Sequence, residues 1–181
     1  MAFLKALYFA ALVPPASVKE EVRAMKMELR EKYGAAHALK LPAHITLIPP
    51  VWIKNEEERA FLETLESIAK EQAEFPVKVE GMGHFNQRVI FIEVKNHEPV
   101  NLLFQKLMAG ITQFVPDPKK KELHPHITLA TRDLTYKNFP EAWLDFKSRT
   151  YSAGFKATTL TLFKHNGKTW DVFQDIPFLP S

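Results

Sequence analysis

One tetrapeptide, written twice, constrains this chain more than any other feature. His44-Ile45-Thr46-Leu47 recurs residue for residue as His126-Ile127-Thr128-Leu129, each copy with a proline just upstream, Pro42 and Pro125. Isoleucine and threonine are β-branched and favour an extended backbone, in which successive side chains point to opposite faces. In each copy His and Thr therefore share one face while Ile and Leu share the other. The pattern predicts two half-buried strands, each carrying an imidazole and a hydroxyl together. If the strands lie side by side, two His and two Thr converge on one site.

The flanking sequence supplies matching surroundings. Phe3 to Val13 reads as a buried strand stopped by Pro14-Pro15, and Ser17 with Glu20 forms a capping-box pattern for a helix from Val18 to Tyr33 with Gly34 as its stop. A loop, Ala35 to Leu41, leads to the first motif strand, which Pro49-Pro50 is expected to end before Val51-Trp52-Ile53 continues extended. Asn55 caps a second helix, Glu56 to Ala73, whose apolar stripe is Phe61, Leu62, Leu65, Ile68 and Ala69. Pro76 separates it from a hairpin of Val77 to Met82 and Arg88 to Lys95, joined through Gly83 to Gln87. A third helix, Pro99 to Phe114, carries Leu102, Leu103, Leu107 and Ile111 and ends at Pro116-Asp117-Pro118. After the second motif come a short helix, Pro140 to Lys147, and two paired strands, Phe155 to Lys164 and Thr169 to Ile176, turning at Asn166-Gly167. Each half thus presents a motif strand followed by a helix and a hairpin, which predicts an approximate two-fold axis between the motif strands.

Composition bounds the rest. With 181 residues, 46% of them hydrophobic, the expectation is one domain, 1–181, with a substantial core. No apolar run approaches the roughly 18 residues needed to span a bilayer, and the first residues lack a leader pattern, so a soluble, cytoplasmic protein is expected. Cysteine is absent, which excludes disulfides and thiolate metal sites. A net charge of +3 permits an anionic substrate without indicating a protein that wraps a duplex.

The motif pair suits a phosphodiester. Its hydrolysis needs a base to deprotonate the attacking water and an acid to protonate the departing oxygen, and two imidazoles of ordinary pKa near 6.5 can hold those opposite states at neutral pH, each contributing roughly 100-fold or more. Each threonine can donate a hydrogen bond to a non-bridging phosphate oxygen. The chemistry needs no metal or cofactor. A single strand histidine is more often structural than catalytic, but the repetition of the whole string argues for function. A His124-Pro125-His126 chelate is the competing metal reading, and neither motif has a carboxylate, Cys or third His at ligand-like spacing.

These paired His-x-Thr-Leu strands resemble the two-histidine phosphoesterase superfamily, and within it the 2′-5′ RNA ligase-like proteins, the RNA 2′,3′-cyclic phosphodiesterases. The resemblance extends to the opening strand before Pro14-Pro15, Gly83-His84-Phe85 before Arg88-Val89-Ile90-Phe91, the block Pro125 to Ala130 and the closing strands, and so covers essentially the whole chain. It implies an α+β fold with two pseudo-symmetric antiparallel-sheet lobes, helices on their outer faces and a central cleft carrying both motifs. It implies His44, Thr46, His126 and Thr128 as the catalytic set, acting on RNA ends or nucleotides with a cyclic phosphate, in a monomer. Cyclic phosphate hydrolysis, cleavage or ligation of 2′-5′ linkages, and a silent RNA-end binding module all lie within it. The chain departs from the family at His124, where an aromatic residue is frequent, at Thr131-Arg132, where a basic residue usually stands one place earlier, and at Lys164-His165, where the final hairpin often carries a serine.

Outside the motifs, Arg132 and Arg88 are candidate phosphate contacts, because guanidinium forks match phosphate oxygens. Phe163 and Phe85 are candidates for stacking on a base. Lys119-Lys120-Lys121 reads as a solvated loop near the second motif, and His37, His84, His97 and His165 read as surface or structural histidines.

Overall fold

The computed structural model describes residues 4–117 and 122–181; the lysine run 119–121 lies outside the described residues. The strands are β1 (Lys5–Leu12), β2 (Ile45–Lys54), β3 (Phe75–Phe85), β4 (Val89–Val94), β5 (His126–Ala130), β6 (Ser152–Ala157), β7 (Thr159–His165) and β8 (Trp170–Pro177). The helices are α1 (Ala16–Tyr33), α2 (Glu58–Lys70), α3 (His97–Ile111) and α4 (Phe139–Phe146). They build two four-stranded antiparallel sheets, β2-β1-β7-β8 and β5-β4-β3-β6.

The expected two-fold relation is present in this topology. Each motif strand is the edge of its sheet, and its neighbour is the strand that precedes it through a helix: β1-α1-β2 in one half, β4-α3-β5 in the other. The helices cross over, α1 packing on β5 and α3 on β2, while the two edge strands β2 and β5 meet. One continuous apolar core runs through both halves, from Tyr8, Leu12 and Ile45 to Ile90, Ile127 and Leu129.

Local chemistry moves several boundaries. Helix α1 starts at Ala16 rather than after a Ser17 cap: extended Pro15 is the cap residue, no side chain caps the helix, and the Pro15 carbonyl accepts from Lys19 N–H at 3.0 Å. A proline carbonyl can begin the hydrogen-bond ladder although the residue has no N–H to give. Gly34 ends α1 as expected, left-handed at φ 72°, its N–H donating to Arg30. The Ala35 to Leu41 loop contains a 3₁₀ turn at His37–Lys40, and another at Asn55–Glu57 precedes α2. In α3 the buried stripe is Val100, Leu103, Phe104, Leu107, Met108 and Ile111, and Leu102 is 51% exposed.

Two expectations about strands are overturned. Pro49-Pro50 does not end the first motif strand; β2 runs through both prolines, because an edge strand tolerates a missing donor and two register shifts against β1 absorb the distortion. The strand expected over Phe155 to Lys164 is two strands, β6 paired with β3 and β7 paired with β1, so the chain crosses from one sheet to the other at Thr158. Pro76, expected as a separator, lies inside β3 opposite Lys156.

A cleft between the two motif strands

Both motif strands show the alternation their sequence demands. Ile45, Leu47, Ile127 and Leu129 are fully buried in the core, whereas His44, Thr46, His126 and Thr128 are half-buried on the opposite face. The two histidines are held alike. His44 Nδ1 lies 2.8 Å from the Pro42 carbonyl oxygen, and His126 Nδ1 lies 2.6 Å from that of His124, in each case two residues upstream. A carbonyl can only accept, so Nδ1 carries the proton in both rings and each neutral imidazole has its lone pair on Nε2. The same bond fixes both ring planes, and the two halves of the molecule present it twice.

A cleft of about 470 Å³ opens beside these strands. Its border includes His44, Thr46 and Thr128, with Thr131 and Arg132 after β5, His37, Ala38, Lys40 and Leu41 from the 3₁₀ segment, Lys26 of α1, and His165, Lys168, Thr169 and Trp170 from the last hairpin. Four Lys or Arg and three His border it, and among the described residues no Asp or Glu does. Burial pushes the His44 imidazole down to about 4; the carbonyl of Pro42 opposes this, and the nearby charges of Lys26 and His126 add to it. His126 does not itself border the cleft, although it shares the Thr128 face of β5 and its charge acts on His44. Phe85 meets the His126 ring edge-on at 4.9 Å, and Phe91 lies at 4.9 Å from it. Gly83 makes room for this arrangement, since a Cβ there would stand 2.5 Å from the Phe91 ring.

The structure divides the four substrate-contact candidates. Arg132 borders the cleft in a left-handed turn, φ 57°, and Arg88 reaches it only indirectly, donating from Nη2 to the Arg132 carbonyl at 3.2 Å. Phe85 packs on His126 instead of facing the cleft. Phe163 is on the non-core face of its sheet, but it is 2% exposed, stacked on Phe9 at 4.4 Å, with Trp170 edge-on to Phe9 at 4.7 Å. The ring left bordering the cleft in that cluster is Trp170, together with part of Phe9.

Sequence reasoning missed Lys26, His37, Lys40, His165, Lys168 and Trp170. Only Lys26 left a signal: it falls in register with Val18, Val22 and Leu29 on the buried face of α1, where a lysine is out of place. Two clamps set the 3₁₀ segment against the cleft. Asp133 Oδ2 accepts from Ala36 N–H at 2.9 Å and His37 N–H at 2.8 Å, and Lys26 Nζ donates to the Ala38 and Leu41 carbonyls at 3.0 and 3.1 Å. Among the described residues no group of three or more His, Asp or Glu comes together as a metal-holding set; His124 lies 3.5 Å from Glu93 and outside the cleft border.

Comparison with known proteins gives a family and a shared fold. A sequence model of the 2′-5′ RNA ligase superfamily matches residues 14–169. A protein of Oceanobacillus iheyensis named "Putative phosphoesterase OB1230" is 26% identical over 174 residues, covering 92% of this chain and 95% of its own length. Among solved structures, TT0787 of Thermus thermophilus superposes with a TM-score of 0.67 at 20% identity, covering 97% of this chain and 99% of its own. LigT of E. coli complexed with 3′-AMP does so with a TM-score of 0.67 at 18% identity, covering 96% and 98%. At these identities the two structures establish a shared fold.

Proposed function

This chain belongs to the 2′-5′ RNA ligase superfamily, and from that premise we propose that it is a phosphodiesterase that opens 2′,3′-cyclic phosphates on RNA ends or small nucleotides. The observation that carries this reading is the duplicated brace: two histidines on adjoining edge strands, each with Nδ1–H tied to the carbonyl two residues upstream, so that proton transfer falls to Nε2. A cleft bordered by cations suits an anionic ester, and the fold is one that LigT shares while holding 3′-AMP.

His44 takes the role of base. Its burial and the neighbouring Lys26 favour the neutral ring, the state a base requires. The role of acid then falls to His126 on the opposite strand. His44 Nε2 removes a proton from water as the water oxygen attacks phosphorus. The bond from phosphorus to one ribose oxygen breaks, and His126 Nε2–H protonates that oxygen. A phosphomonoester and a free hydroxyl result, and solvent restores both rings. Thr46 and Thr128 donate to the non-bridging oxygens, and Arg132 balances their charge.

The test is hydrolysis of a 2′,3′-cyclic nucleotide by the wild-type chain and by His44→Ala and His126→Ala. Each substitution should lower kcat by about 100-fold or more with the folded state retained by circular dichroism, and EDTA should leave the wild-type rate unchanged. Undiminished turnover in either variant would sink the mechanism. Joining of 2′-5′ ends without hydrolysis would move the assignment to ligation.

A further inference from the structure

Lys26 is a buried cation with no acid beside it. It is 3% exposed, yet among the described residues no carboxylate lies within ion-pair distance of its Nζ. Two of its three N–H groups go to the Ala38 and Leu41 carbonyls, which leaves one. Burying an ammonium without a counter-ion is costly, and a methionine of similar length would fill the same helix face with no charge to desolvate. The position of Lys26 makes the exception intelligible. It borders the cleft beside His44, and it also borders an adjoining cavity of about 360 Å³ whose wall carries Lys19, Arg23 and Lys40 against Glu20 alone among the described residues.

We propose that Lys26 is a phosphate-binding residue of the cleft, its missing counter-ion supplied by the anionic substrate. This rests on the phosphoester reading above. The groups around Lys26 agree with the assignment. Its own helix brings Lys19, Glu20 and Arg23, the 3₁₀ segment brings His37 and Lys40, the head of β2 brings His44, and the turn after β5 brings Arg132; β5, which packs against the helix, carries His126, and Asp133 follows Arg132 in the chain. Cations predominate, and the Asp133 carboxylate is engaged by the N–H groups of Ala36 and His37. An incoming anion is thus the partner that relieves the local excess of positive charge. Burial, with the charge of Arg23 adding to it, pulls the Lys26 ammonium down to about 8, so the bare site holds its proton at neutral pH and loses it at mildly alkaline pH.

Sulfate is the probe, because its charge does not change across neutral and mildly alkaline pH, and its binding is read by NMR titration of wild-type, Lys26→Met, Lys26→Gln and Lys26→Arg proteins. Loss of one charge-assisted hydrogen bond should weaken sulfate about 10-fold or more in the Met and Gln variants, with Arg retaining part of the affinity. Wild-type affinity should fall as pH rises through about 8, and that limb should be absent in Lys26→Met. The His44 ring should titrate at higher pH in Lys26→Met than in wild type. Should Met fail to fold, the Gln variant and the wild-type pH profile decide. Equal sulfate affinity in all four proteins, or a wild-type affinity that stays flat as pH passes through about 8, overturns the proposal, and so does a lowered melting temperature with unchanged binding. Wild-type turnover of a 2′,3′-cyclic nucleotide is measured in parallel: no turnover with intact Lys26-dependent sulfate binding faults the enzymatic reading alone.

Discussion

At the scale of the residue, both motif histidines are braced through Nδ1 to a carbonyl two residues upstream. Burial holds the His44 ring well below the ordinary imidazole range, at about 4. In the unfolded chain the same ring titrates near 6.5. Between about pH 4 and that value the unfolded state binds the extra proton, so the contribution of His44 to stability is complete above about pH 6.5 and is lost as pH falls toward 4. Denaturant midpoints measured at about pH 7 and about pH 5, on either side of the unfolded value, should therefore differ less in His44→Gln than in wild type. An equal difference would mean that His44 is as solvated folded as unfolded. The companion residue Lys26 was missed in the sequence although it is a charge on an apolar helix face, and the helical stripe alone could not say that this face turns toward a cleft.

Among the elements, the β3-β4 hairpin shows how a backbone position controls a side chain in the site. Gly83 stands opposite Phe91 across the pair, and the Phe91 ring, which packs on His126, lies over the space a Cβ would take. Gly83→Ala should cost about 1–3 kcal/mol of stability, the usual range for overpacking, and should disturb the His126 ring more than His44. The check is thermal unfolding together with the ring-proton shifts of the two histidines; unchanged shifts at both would show that Phe91 yields freely. The hairpin itself was legible from its β-branched strands. Two other elements were not: a proline pair reads as a strand end unless the strand is known to be an edge, and the alternation from Phe155 to Lys164 is the same whether one sheet or two receive it.

For the whole molecule, the consequence of two crossed halves is that both wall a single cleft. Helix α1 leaves the first sheet and packs on β5 of the second, and the turn after β5 reaches back through Asp133 to the 3₁₀ segment that borders the cleft. Asp133→Ala removes two acceptor contacts across the halves and should cost about 1 kcal/mol, the typical value of a side-chain cap on backbone N–H groups. With the 3₁₀ segment loosened, KM for a cyclic nucleotide should rise several-fold while kcat changes less, because the residue touches no reacting atom. A matched loss in kcat with unchanged KM would instead place Asp133 in the chemistry.

The sequence by itself determined the period-two face sharing of His44 with Thr46 and of His126 with Thr128, the stop at Gly34 and the Asn166-Gly167 turn. These are decided by torsional preference and by which neighbours burial pairs along a few residues, information that is local to the chain. The tertiary structure alone decided that both motif strands are edges that meet, that Phe163 is covered while Trp170 faces the cleft, and that Lys26, Lys40 and Lys168 stand around one cavity with no carboxylate among the described residues of its border. Those outcomes depend on contacts between residues far apart in the chain, whose Coulomb and desolvation energies exist only once the two sheets are in place.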